Sequence, residues 1–208
     1  MAYLLIVLAG YLLGSSNMAY YIAKRKNVDM RSHGSGNLGT SNAAIVLGWG
    51  PAIAVGVHDI GKALLSVVLA NVLFPDLAFA GAAAGVASVL GHIFPFYLRF
   101  QGGKGFAPFV GLTFALNWKL GIVIVVLVAL ITLITDYLAL GTFATIVVVP
   151  VWEGIESGTL ILPLILLIGT AVIFYKHREN FVRLRNGTEI GLRSTTKGEH
   201  KKEPATTW

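Results

Sequence analysis

Gly91-His92-Ile93-Phe94-Pro95-Phe96-Tyr97-Leu98-Arg99-Phe100-Gln101-Gly102-Gly103-Lys104-Gly105 holds the decisive break in this chain: a long apolar run ends there in a glycine-rich turn with a single lysine. Gly102, Gly103 and Gly105 leave the backbone around Lys104 free to adopt positive φ and to bare its N–H groups, and the lysine adds a mobile cation above them. Such a turn can hold a phosphate. It can equally be a tight connection between two membrane helices, with Arg99 and Lys104 as ordinary flanking charges, because short glycine motifs recur by chance. The runs on either side decide how the chain is threaded. Residues 77–98, ahead of the turn, are long enough to span a bilayer. Residues 106–116, behind it, fall short of the roughly 17 that an upright crossing needs.

The rest of the chain has the same character. It is 55% hydrophobic and 12% charged over 208 residues, with a mean hydropathy of +0.74, which points to an all-α integral membrane protein rather than to soluble domains. Residues 3–23 form the first span, and Lys24, Arg25, Lys26 and Arg31 follow it, so it is read as a retained crossing and not a removable signal. Further spans at 51–74, 77–98, 106–116, 120–135, 138–152 and 159–175 give a polytopic bundle of about seven transmembrane helices. Five crossings is the competing count, with 106–116 re-entrant. The basic residues fall in the first loop, the Lys104 loop and the C-terminal segment, leaving Lys119 on the other side and Lys62 inside a span. By the positive-inside rule the N-terminus is outside and the C-terminus cytoplasmic. Residues 1–193 are read as a single membrane domain, and 194–208 as a polar, disordered tail. The net charge of +6 then reports topology and attraction to anionic lipid, not nucleic acid. Zero cysteines exclude disulfides, thiolate metal centres and a thiol nucleophile.

Three polar constellations stand out from this background. The first loop contains Arg31-Ser32-His33-Gly34-Ser35-Gly36-Asn37-Leu38-Gly39-Thr40-Ser41-Asn42. Gly34, Gly36 and Gly39 match G-x-G-x-x-G, but they follow a membrane helix and a basic cluster instead of a strand, so a dinucleotide site is rejected. What remains is a run of backbone and hydroxyl donors beside Arg31, or a plain surface loop. His58, Asp59 and Lys62 lie inside the second span, where a charge costs roughly 2.5 kcal/mol or more. Asp59 and Lys62 share a helical face, as a structural ion pair or as catalytic groups. The third constellation is His177-Arg178-Glu179-Asn180-Phe181-Val182-Arg183-Leu184-Arg185-Asn186-Gly187-Thr188-Glu189. Arginines there suit a basic flank, but a flank does not explain His177 and Asn180 three apart on one face. The chain has no G-x-S-x-G elbow and no H-x-x-x-x-D, and its aspartates are too scattered for a two-metal site. Any chemistry has to rest on positioning and anion stabilisation.

Taken together, the segments resemble the bacterial acyl-phosphate:glycerol-3-phosphate acyltransferase family of integral membrane enzymes. The matching pieces are Gly34 to Asn42, Gly91-His92-Ile93-Phe94-Pro95 with Gly102-Gly103-Lys104-Gly105, and His177-Arg178-Glu179-Asn180 with Arg183-Leu184 and Gly187-Thr188-Glu189. Asp59-Ile60-Gly61-Lys62 and Tyr11-Leu12-Leu13-Gly14-Ser15 add to them. The resemblance implies acyl transfer from acyl phosphate to the 1-hydroxyl of glycerol 3-phosphate, giving lysophosphatidic acid and phosphate. It implies a monomer in the bacterial inner membrane among membrane lipid, its site facing the cytoplasm, with no metal or other cofactor. It casts Ser35, Lys104, His177 and Asn180 as catalytic. Substrate contacts fall to Arg31, Gly34, Gly36, Asn37, Ser41, Asn42, Gly102, Gly103, Gly105 and Thr142. Asp59, Lys62, His92 and Glu189 support them.

The match has departures. The family usually carries an arginine where this chain has Ile45, and Arg31 is the nearest substitute. Thr142 stands for a serine, and Gln101 and Ala63 for a lysine and a glycine. A non-catalytic homologue, or a membrane anion-binding, lipid-binding or transport protein, is the alternative.

Overall fold

The computed structural model describes residues 1–197, and every regular element among them is a helix. In chain order these are α1 (Ala2–Ser15), α2 (Met18–Arg25), α3 (Thr40–Leu47), α4 (Trp49–Leu73), α5 (Ala80–Ile93), a 3-10 turn (Phe96–Leu98), α6 (Phe106–Leu116), α7 (Trp118–Thr135), α8 (Leu138–Ser157), α9 (Ile161–Lys176), α10 (Arg178–Arg185) and α11 (Leu192–Lys197). Asn17 separates the first two helices, its side-chain oxygen accepting the Tyr20 N–H at 2.9 Å as an N-cap.

Helix α5 is the axis, with 12 of its 14 residues buried. Its small residues let α1 run alongside it almost backbone to backbone, as close-packed membrane helices do. A Cβ on Gly14 would lie 2.0 Å from the Ser88 carbonyl oxygen, and one on Gly91 2.2 Å from that of Tyr11. We expect Gly14→Leu to destabilise the fold by about 1–3 kcal/mol, the usual cost of overpacking. A lowered denaturation midpoint in detergent checks this, and an unchanged midpoint contradicts the packing. Helices α4, α6 and α9 complete the ring around α5. Large apolar side chains such as Leu4, Val72, Ile134 and Ile155 face outward, the pattern of a lipid-facing bundle.

Among the described residues five stretches are long and apolar enough to cross a membrane: Ala2–Arg25, Trp49–Leu73, Ala80–Leu98, Trp118–Thr135 and Leu138–Ser157. Ile161–Lys176 with Arg178–Arg185, bent by 48°, makes a sixth. The expected count of about seven adds Phe106–Leu116, whose 11 residues rise about 16 Å. One end of α6 is fixed at the bundle's rim, where Asn117 caps α7 and donates to Glu156 at 2.7 Å. The other end therefore stops roughly 10 Å below the top of the 18-residue α7. The Lys104 turn sits at that recessed end.

The polar tail expected from Ser194 instead begins as part of α11, and residues 198–208 lie outside those described. The segment leading into α11 is pinned to the α7–α8 turn: the Leu192 N–H donates to the Asp136 carbonyl and the Arg193 N–H to its carboxylate, each at 2.9 Å.

Candidate active site

The Lys104 turn is built differently from the sequence expectation. The Gly102 N–H donates to the Ile93 carbonyl at 3.0 Å and the Gly103 N–H to the His92 carbonyl at 3.2 Å, so neither amide is bare. Their lack of a side chain serves close approach instead. A Cβ on Gly102 would lie 2.0 Å from the His92 carbonyl oxygen, and one on Gly103 2.1 Å from His92 Nε2. Only Gly105 uses its freedom of φ, at +90°, to start α6. The free donors are one step further on. The N–H groups of Lys104 and Gly105 have no backbone acceptor among the described residues, and the first turn of α6 leaves those of Phe106 and Ala107 unpaired, as any helix start does. An anion site at a helix N-terminus results.

The lysine itself is held by the third constellation. Its ammonium donates to Asn180 Oδ1 at 2.5 Å, the Asn180 amide donates to Glu189 at 2.5 Å, and Arg183 Nε donates to the other Glu189 oxygen at 2.7 Å. Arg183 is thereby paired with Glu189, while Lys104 has no carboxylate of its own among the described residues. Burial, then repulsion by Arg183, lowers its pKa to about 8, so it is charged at neutral pH. His177 stands at the bend between α9 and α10. Its Nδ1–H donates to the Ile173 carbonyl at 2.9 Å, which in the neutral ring leaves the lone pair on Nε2.

The first loop folds around Asn42, whose Oδ1 accepts the Ser35 N–H at 2.8 Å while its amide donates to the carbonyls of Met30, His33 and Asn37. Asn42 is thus a staple and not a substrate contact. Gly34 and Gly36, at φ +59° and +69°, shape the turn it holds. Ser35 Oγ and Thr40 Oγ1 are buried without a partner. Arg31 does not replace the missing family arginine: its guanidinium donates to the Leu98 and Gln101 carbonyls at 3.3 and 2.8 Å. Beneath the turn, Lys62 pairs with Asp59 at 2.8 Å, with His92 and His58 beside the same carboxylate at 3.3 and 3.4 Å.

These groups meet on one cavity of about 580 Å³. Ser35, Asn37, Ser41, Asp59, His92, Lys104, Gly105, Thr142, His177, Asn180 and Glu189 line it. Of the expected residues, Arg31, Gly34, Gly36, Asn42, Lys62, Gly102 and Gly103 do not. Ile45 takes its place in the wall. Sequence reasoning missed the apolar half, formed by Gly56 and Ile60 of α4, Val110 of α6, and Ile124 and Val128 of α7. No motif marks them, because they look like any membrane helix. It also gave Thr40 no role, though its position inside the glycine motif was a signal.

A family model described as glycerol-3-phosphate acyltransferase matches residues 4–187. A protein named glycerol-3-phosphate acyltransferase in Halalkalibacterium halodurans is 40% identical, over 90% of this chain and 94% of its own. One of the same name in Prochlorococcus marinus is 33% identical, over 92% and 98%. The fold is similar to the crystal structure of PlsY (YgiH), an integral membrane glycerol 3-phosphate acyltransferase, in its glycerol 3-phosphate form. The TM-score is 0.88 at 30% identity, covering 95% of this chain and 98% of that one. Its lysophosphatidic acid form gives a TM-score of 0.83 at the same identity. The chain belongs to the glycerol-3-phosphate acyltransferase family.

Proposed function

We propose that this protein acylates the 1-hydroxyl of glycerol 3-phosphate to give lysophosphatidic acid, the first acylation of phospholipid synthesis, and that its donor is acyl phosphate. The observation that carries the reading is a single cavity with a cationic, donor-rich end and an apolar wall. The apolar wall takes the acyl chain, and the polar end takes the two phosphates. Acyl phosphate is an activated mixed anhydride, so positioning and electrostatics suffice and no covalent acyl-enzyme is needed.

Lys104, the Ser35 hydroxyl and the N-terminal amides of α6 face the phosphate and the carbonyl oxygen on which charge develops. His177 and Asn180 orient glycerol 3-phosphate. Its hydroxyl oxygen bonds to the acyl carbon, the bond from that carbon to the phosphate oxygen breaks, and phosphate leaves with the electron pair. The hydroxyl proton ends on the departing phosphate, directly or by way of His177 Nε2. One chain supplies every group, so a monomer is sufficient. Purified protein given palmitoyl phosphate and glycerol 3-phosphate should form lysophosphatidic acid. No product, with Lys104→Ala indistinguishable from wild type, would sink the reading.

The basic loops support a site that faces the cytoplasm from a bacterial inner membrane, with the N-terminus outside. The chain has no cysteine, so single cysteines report topology cleanly. Lys26→Cys in sealed right-side-out vesicles should resist an impermeant maleimide until the membrane is opened, and Lys119→Cys should react at once. The reverse pattern refutes the orientation.

A further inference from the structure

His92 is 2% exposed yet lines the cavity beside Lys104. Its ring is fixed from below. The Lys62 ammonium donates to the Ser16 carbonyl at 2.6 Å, to Asp59 Oδ1 at 2.8 Å and to His92 Nδ1 at 2.9 Å. An ammonium has three N–H bonds, and these three acceptors use them all. Asp59 Oδ1 also lies 3.3 Å from Nδ1, but a proton there would set donor against donor across the shorter 2.9 Å contact with Lys62, so Nδ1 carries the lone pair and Nε2 the proton. That Nε2–H lies beneath Gly103, where a Cβ would come within 2.1 Å of it. It has no acceptor among the described residues. Binding cavities fix a ligand with a few placed polar groups, and a donor held in the wall with no protein acceptor is placed for an oxygen brought by a ligand.

We propose that His92 is a substrate-contacting residue: its Nε2–H donates a hydrogen bond to an oxygen of the acyl phosphate, with Lys62 as the positioning residue that sets the tautomer. The proposal rests on acyl phosphate being the donor. It also gives the glycine at 103 a purpose, since any side chain there would cover the donor.

Nitrogen NMR of ¹⁵N-histidine-labelled protein in detergent, with His92 assigned by comparison with His92→Gln, tests this without relying on a variant's activity. The free protein should show a proton on Nε2 and none on Nδ1. A non-transferable palmitoyl phosphonate should then move that N–H signal. In kinetics, His92→Phe should raise the KM for palmitoyl phosphate roughly tenfold, the effect of one lost hydrogen bond to an anion, with the KM for glycerol 3-phosphate unchanged. His92→Gln, whose amide reaches about the same place, should recover most of the loss. A proton on Nδ1, a signal indifferent to the phosphonate, or equal damage to both KM values in both variants overturns the proposal. If wild-type protein makes no lysophosphatidic acid from palmitoyl phosphate, the donor assignment fails instead, a distinct result.

Discussion

Lys104→Ala should lose about a thousandfold in kcat/KM at pH 7, the scale of removing a preorganised charge from developing negative charge in a dry site. The size follows from how the other cations are committed. Arg183 is paired with Glu189 at 2.7 Å, and Arg31 is spent on two backbone carbonyls. Little remains to take over. The same lysine sets a pH limit. Its pKa is lowered to about 8, so the charged, active form prevails below that value and is lost as pH rises through it. The wild-type kcat/KM should therefore fall about tenfold per pH unit above 8. The kcat should hold to higher pH, because bound phosphates raise the lysine's pKa. Lys104→Arg, weaker overall, should lack the alkaline limb. A wild-type profile flat to pH 10 would show that this charge is not required.

Ile45→Arg should lower the KM for glycerol 3-phosphate by ten- to a hundredfold, the worth of a charge-assisted hydrogen bond to phosphate. Ile45 is 9% exposed, lines the cavity and lies against Gly34, its Cγ2 3.1 Å from where a Cβ there would be. An arginine at this point extends into the polar end of the cavity, and the substrate's phosphate repays its desolvation. A second cation should also depress the Lys104 pKa further, moving the alkaline limb to lower pH. The two effects should appear together. An unchanged KM and an unshifted limb would mean that position 45 does not face the acceptor's phosphate. A large gain would show that Ile45 limits acceptor binding in this chain.

Spacing carried most of what was legible in the sequence. Asp59 and Lys62, three apart in an apolar span, do form an ion pair, and His177 and Asn180, three apart, both line the cavity. The three glycine-bearing segments do converge, as Lys104 on Asn180 and Arg31 on Gln101 show. Roles were less legible than places. Gly102 and Gly103 were expected to bare their amides, and they are glycine because His92 crowds them. Asn42 was expected to bind substrate, and it holds four backbone groups of its own loop. In each case the composition fits either job, and only the path of the chain chooses between them. The apolar wall left no trace at all, since Val110 facing a cavity and Val110 facing lipid are the same letter. By length and composition five or six crossings stand out among the described residues, and the expected seven turns on α6, since hydropathy records how apolar that helix is but not how far it reaches.

That short reach has a kinetic corollary. On the acyl phosphate reading, a helix that begins below the end of its neighbour α7 brings the reacting groups to the depth of a membrane-borne donor, while the acceptor arrives from water. One reactant is then measured in moles per litre and the other in molecules per area of membrane. Diluting the donor with inert phospholipid at constant bulk concentration should slow turnover as though substrate had been removed. Adding more vesicles of fixed composition should not. The enzyme would thus sense the crowding of its donor within the sheet and be indifferent to how much sheet there is.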